Sequence, residues 1–168
     1  PDIDASASVF LPDGYTDGCD VREGLERLAV IDGIDGVGFG WPGAFPTPAE
    51  LRSAVDDVGL ELTTLEPDVY TDRRFARGSL THPDPALRAA ALDRVKATLD
   101  AAGEAGAPNI NLWLGQDGFD YVFGAHYADA WGWLIEGLAA AADYNPHVPI
   151  CLEPKAQEPR AHLFVANM

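Results

Sequence analysis

Short apolar segments alternate along this chain with stretches of helical periodicity, and that alternation limits the fold more than any other feature of the sequence. Five segments read as strands, at residues 5–10, 36–39, 61–65, 109–114 and 149–153, with four helical patterns between them. A helix between two strands carries the chain back across the sheet in a right-handed crossover, so the strands are expected to be parallel, all pointing the same way. The 168 residues, 47% of them hydrophobic, suffice for one domain with a sizeable core.

The helix boundaries are written in the capping residues. Asp20 precedes VREGLERLAVI, with Glu23 placed to complete a capping box and Asp32-Gly33 as the stop. Thr47 and Pro48 open TPAELRSAVDDVG, which closes at Gly59. Asp84 and Pro85 open the longest pattern, in which Leu87, Ala91, Val95, Leu99 and Ala102 recur every three or four residues. The fourth starts near Tyr127, and Trp131, Leu134, Ile135 and Leu138 read as its core-facing stripe.

Charge narrows the partners. Asp and Glu number 27 against 11 Lys and Arg, a formal net charge of −16, which argues against nucleic acid or an anionic membrane as partner. No apolar run approaches the roughly 20 residues of a membrane span. Cys19 and Cys151 lie far apart without metal-ligand spacing, and a reduced, cytoplasmic setting is expected. Neither a dinucleotide-binding nor a P-loop glycine pattern follows any strand.

In parallel α/β folds, ligands gather at the loops after the carboxyl ends of the strands. Those loops contain Trp41, Asp68, Tyr70, Trp113, Gln116, Asp117, Glu153 and Lys155. The last strand runs into ICLEPKAQEPR, where Glu153 and Lys155, two apart, project to one side. Pro154 between them suits a strand end because it has no backbone donor. A carboxylate can hold a divalent cation and the ammonium beside it can hydrogen-bond a substrate oxygen. An ordinary ion pair at a strand end is the structural reading of the same residues.

The segment LEPKAQEPR is similar to the Glu-Pro-Lys-x-x-Glu-Pro-Arg segment of xylose isomerases, and LWLGQDG resembles their Trp-Gly-Gly-Arg-Glu-Gly segment. PDVYTDRRFARGSLTHPDPALRAAALDRVK resembles the family's stretch of aromatic loop, turn and Arg/Ala-rich helix, so the resemblance covers roughly residues 35–160. It implies an α/β fold, a (β/α)8 TIM barrel, of which the chain supplies about the first five βα units. Residues 1–168 then form a single domain, incomplete on the C-terminal side, because a whole barrel takes about 250 residues.

The resemblance carries roles with it. Glu153 becomes a metal ligand, for Mg²⁺, Mn²⁺ or Co²⁺, and Lys155 contacts the sugar carbonyl oxygen. Trp113 and Tyr70 wall the substrate, with Trp41 beside them. The family places a histidine after its second strand, where this chain has Gly40 followed by Trp41. No catalytic role is read for His82, His126, His147 or His162, Gln116 and Asp117 are placed on the pocket rim, and Glu158 with Arg160 reads as a structural pair. The implied activity is metal-assisted aldose–ketose isomerisation of a small-molecule sugar in a homo-oligomer. An epimerase or lyase on an oxidised sugar, and a noncatalytic sugar-binding or partner subunit, are the alternatives.

Overall fold

The computed structural model of the protein describes residues 20–43, 45–158 and 161–167. The strand expected at residues 5–10 lies outside them, as do Cys19 and Arg160.

The first three helices start where their capping residues predict. Helix α1, Val21–Ala29, begins as Asp20 accepts from the Arg22 amide at 2.7 Å. Glu23 pairs with Arg27 one turn on, at 2.6 Å. Helix α2, Pro48–Asp57, begins as Thr47 Oγ1 accepts from the Glu50 amide at 3.2 Å. In helix α3, Pro85–Ala105, Asp84 caps the Ala86 amide at 2.8 Å, and Gly106 at φ 71° ends the helix in the left-handed region that glycine enters freely.

Strands β1 (Gly36–Trp41), β2 (Glu61–Pro67), β3 (Ile110–Trp113) and β5 (Ile150–Glu153) form one parallel sheet in the order β1-β2-β3-β5. Alternation sends Val37, Phe39, Ile110 and Leu112 into the core, and an irregularity in β2, where Leu62 pairs with Val37 but Thr64 with Gly38, brings Leu62 and Leu65 to the same side; there they meet Leu51, Val55, Val95 and Leu99 of α2 and α3. The opposite face of the sheet carries the polar side chains. Sheet and helices follow the partial-barrel pattern of about five βα units.

Two features depart from the sequence reading. A second, antiparallel sheet joins β4 (Gly118–Phe119), β6 (Gln157–Glu158) and β7 (Ala161–Leu163) in the order β4-β7-β6, so not every strand points the same way. Its strands are two or three residues long, too short to leave a period-two pattern. The second concerns helix α4, Tyr127–Tyr144, which buries Ala130, Leu134 and Ala141 and leaves Trp131 43% and Ile135 61% exposed. The small residues choose the buried face: at Gly137 a methyl group would already stand 3.2 Å from Leu80 Cδ2, whereas indole and isoleucine side chains would hold the helix off.

No helix among the described residues is long and apolar enough to cross a membrane.

Candidate functional site

Three neighbouring strands end in polar side chains on the face turned away from the helices. Cα pairing sets Trp113 beside Glu153 and Asn111 beside Cys151, and Leu65 beside Ile110 puts Glu66 level with Asn111. Laterally paired residues of a sheet share a face, so Glu66, Asn111 and Glu153 form an oblique row on one face of β2, β3 and β5, with Glu153 two residues beyond Cys151, the residue level with Asn111. The Asn111 Nδ2 donates to Glu66 Oε1 at 2.7 Å and to Glu153 Oε2 at 2.6 Å. One neutral amide thus ties two carboxylates that would otherwise repel.

Electrostatics in the row follow from burial. Glu66 is half-buried, and desolvation pushes its carboxyl above the ordinary glutamate range. The hydrogen bond from Asn111 offsets part of that rise, and the charge on Glu153 adds to it. Burial, then the carboxylates of Glu66 and Asp68, hold the Tyr70 phenol above its usual value.

The aromatic residues arrive by a separate route. After β2, Asp68 Oδ1 accepts from the amides of Tyr70 at 3.3 Å and Thr71 at 2.9 Å, an Asx-type turn. Arg94 of α3 fixes that turn from behind, donating to the Asp68 carbonyl and to Asp72 Oδ2, each at 2.7 Å. Tyr70 then meets Trp113 edge to face with centroids 4.6 Å apart. Gly115 lets the indole fold over the backbone, since a Cβ there would lie 2.7 Å from Trp113 Cζ2 and Cη2. The Trp113 Nε1 is buried and without a hydrogen-bond partner among the described residues.

Lys155 reaches this cluster: its Nζ stands 5.3 Å from the centre of a Trp113 ring and pairs with Glu158. Glu158 is therefore engaged with Lys155 next to the site, and the expected partner Arg160 lies outside the described residues. Trp41 is placed differently. It ends β1 half-buried against the core, its carbonyl accepting from the Asp68 amide at 2.9 Å, and makes no ring contact with Tyr70 or Trp113.

Asp117 is not on a pocket rim. It is 1% exposed and accepts from Ser79 N and Oγ at 2.9 and 2.5 Å and from Thr81 N and Oγ1, both at 2.7 Å. The carboxylate ties the turn before α3 to the loop after β3, and burial holds its pKa above the ordinary range. Gln116 does stay at the surface, its Nε2 3.4 Å from the Tyr70 carbonyl.

Sequence reading missed Glu66 and Asn111. A signal for the first was present: the tripeptide Leu-Glu-Pro at residues 65–67 recurs at 152–154, ending two strands alike. Nothing in the sequence marked Asn111, whose role depends on lying between the two.

Comparison with known proteins agrees with this architecture. The family model described as "Xylose isomerase-like TIM barrel" matches residues 26–164. Xylose isomerase of Thermus thermophilus is 31% identical over 122 residues, covering 70% of this chain and 32% of that protein. That of Chelativorans sp. is 28% identical over 118 residues, covering 68% and 27%. The chain thus spans about a third of the length of the curated relatives it matches. Among solved structures, a xylose isomerase-like TIM barrel/4-hydroxyphenylpyruvate dioxygenase fusion protein superposes with TM-score 0.56 at 18% identity, covering 86% of this chain and 21% of that one. Mannonate dehydratase from Streptococcus suis serotype 2 gives 0.54 at 16%, covering 77% and 49%. Matched over most of its length by the family model and by the curated relatives, the chain belongs to the xylose isomerase-like TIM-barrel family.

Proposed function

We propose that the protein is a metal-dependent sugar isomerase, interconverting an aldose and a ketose by hydride shift at the carboxyl-end mouth of the barrel. The observation that carries the reading is the convergence of Glu66 and Glu153 on Asn111, with Lys155 two residues beyond Glu153.

The donor chemistry fits a divalent cation. Mg²⁺ and Mn²⁺ take hard oxygen ligands, and here two carboxylates approach one point that a single neutral amide now serves. Glu153 and Glu66 would hold the ion. No group of three His, Cys, Asp or Glu placed to hold a metal occurs among the described residues. When bound, such a cation polarises carbonyl and hydroxyl oxygens.

The other residues have distinct tasks. Lys155, released from Glu158 by a substrate oxygen, donates a hydrogen bond where negative charge develops, a contribution of up to about 3 kcal/mol for one well-placed donor. Trp113 and Tyr70 form an apolar wall that keeps water from the reacting carbons. Trp41, at the end of β1, borders the mouth on the side of Gly40 and meets the substrate there. The reading takes the protein as a cytoplasmic homo-oligomer acting on a small-molecule sugar.

A second reading, epimerisation or elimination on an oxidised sugar, draws support from Glu66 itself. A half-buried carboxyl with a raised pKa is suited to carry a proton. Structural neighbours include mannonate dehydratase and the 3-keto-D-glucoside 4-epimerase of E. coli.

The test is to dialyse the full-length protein against chelator, restore Mg²⁺, Mn²⁺ or Co²⁺ singly and screen aldoses and ketoses, with Glu153→Gln alongside. Metal-dependent interconversion lost in the variant is the expected result. Metal binding with turnover only of oxidised sugars would transfer the assignment to the second reading, and the absence of stoichiometric metal would leave a sugar-binding subunit.

A further inference from the structure

A cavity of about 790 Å³ opens beside the candidate site, between the turn before α3, the loop after β3 and the small antiparallel sheet. That is near the top of the ~300–1,000 Å³ range of small-molecule sites, and more than an open-chain monosaccharide fills. It shares walls with the site: Gly115 underlies the Trp113 indole, Gln116 meets the Tyr70 carbonyl, and Glu158 is the partner of Lys155. The cavity and the candidate site are therefore neighbours.

The lining specifies the class of ligand. Trp133 and Phe119 contribute aromatic surface, and the Trp133 indole is held by Arg88, which lies 4.2 Å from its centroid and is not itself a wall residue. Phe119 is fixed within rings of Tyr127, His162 and Phe164 at 5.1 to 5.6 Å. Arg77, Asp120 and His126 also line the cavity, and their side chains make no hydrogen bond or ion pair among the described residues. Their hydrogen-bonding capacity is unspent. The lining holds one basic residue, Arg77, against two acids, Asp120 and Glu158, the latter paired with Lys155, so the cavity has no excess of positive charge for an anionic ligand. Rigid aromatic faces combined with uncommitted polar groups and balanced charge suit a neutral, hydroxyl-rich ring.

We propose that this cavity is a second carbohydrate subsite, holding the distal ring of a neutral disaccharide or glycoside whose reacting end lies at Glu66, Glu153 and Lys155. The placing of the reacting end rests on the isomerase reading, but the subsite is tested by binding alone. Tryptophan fluorescence or calorimetry on the full-length protein would compare lactose, maltose and cellobiose with galactose, glucose and glucose 6-phosphate. At least one disaccharide is expected to bind about tenfold more tightly than its monosaccharides, and both Arg77→Ala and Trp133→Leu to reduce that preference to about twofold. Arg77 is exposed, so its replacement keeps the test valid if the tryptophan variant fails to fold. Equal affinity for mono- and disaccharides, a preference that survives both substitutions, or tighter binding of the sugar phosphate would each overturn the subsite. A disaccharide preference without metal-dependent turnover of any sugar would uphold the subsite and remove the catalytic reading. Turnover without the preference would do the reverse.

Discussion

Glu66 and Glu153, 87 positions apart in sequence and two strands apart in the sheet, share one hydrogen-bond donor, the side-chain amide of Asn111. Replacing Asn111 by Ala leaves two carboxylates facing each other without their shared donor. In chelator-treated protein at neutral pH, Asn111→Ala should cost about 1–2 kcal/mol in urea unfolding, and added Mn²⁺ should restore part of the loss. An unchanged midpoint in both conditions would show that the row is not electrostatically coupled.

Glu66 should behave in the opposite sense. Its folded pKa is raised, so the folded state binds the proton more tightly than the unfolded chain, and stability falls as pH rises above the ordinary glutamate range. Glu66→Gln removes that loss. Without metal, the variant should melt above the parent at pH 7, with the gap closing as pH falls to about 3, below the ordinary glutamate range, where both states of Glu66 are protonated. Parallel melting curves across this window would contradict the burial of Glu66. Glu153 and Tyr70, which face the same group, remain in both proteins and serve as the common background.

Gly115 and Gly40 make a matched pair. A methyl at Gly115 collides with the Trp113 ring, so Gly115→Ala should displace the indole, shift its fluorescence and cost about 1–3 kcal/mol. A methyl at Gly40 meets nothing within 4 Å, so Gly40→Ala should change stability by no more than about 0.5 kcal/mol. Similar penalties at the two positions would mean that the indole is not pinned by Gly115.

Asp117 should prove a determinant of stability. Asp117→Ala strands four donors of Ser79 and Thr81 in a buried place, and a loss of about 3 kcal/mol is expected. Hydrogen exchange should rise in residues 78–82 and 114–118 together, because the carboxylate is their common anchor. A rise confined to one of the two segments would disprove the tie.

What the sequence disclosed, and what it withheld, follows from the range of the interactions involved. Helix starts at Asp20, Thr47 and Asp84 were legible because a cap acts over two or three residues. The parallel sheet was legible because crossover length dictates direction. The buried face of α4 was not, since apolar residues surround that helix and only the tertiary neighbour Leu80 selects the glycine side. Asp117 read as a surface acid because its four donors lie 36 and 38 positions away. Glu153 and Lys155 could be singled out from a strand end, but Asn111 acquires its place only when β2 and β5 flank β3.

The small antiparallel sheet has a mechanical consequence. Its ladder joins residues 118–119 to 162–163, Phe164 donates to the Asp117 carbonyl at 3.0 Å, and Lys155 donates its amide to Val165 at 3.0 Å. The segment carrying Lys155 and the loop that seats the Trp113 indole are laced into one piece. Neither can swing without the other. The ammonium and the Trp113 indole therefore share one support, and a ligand that grips either one bears on the segment that holds the other.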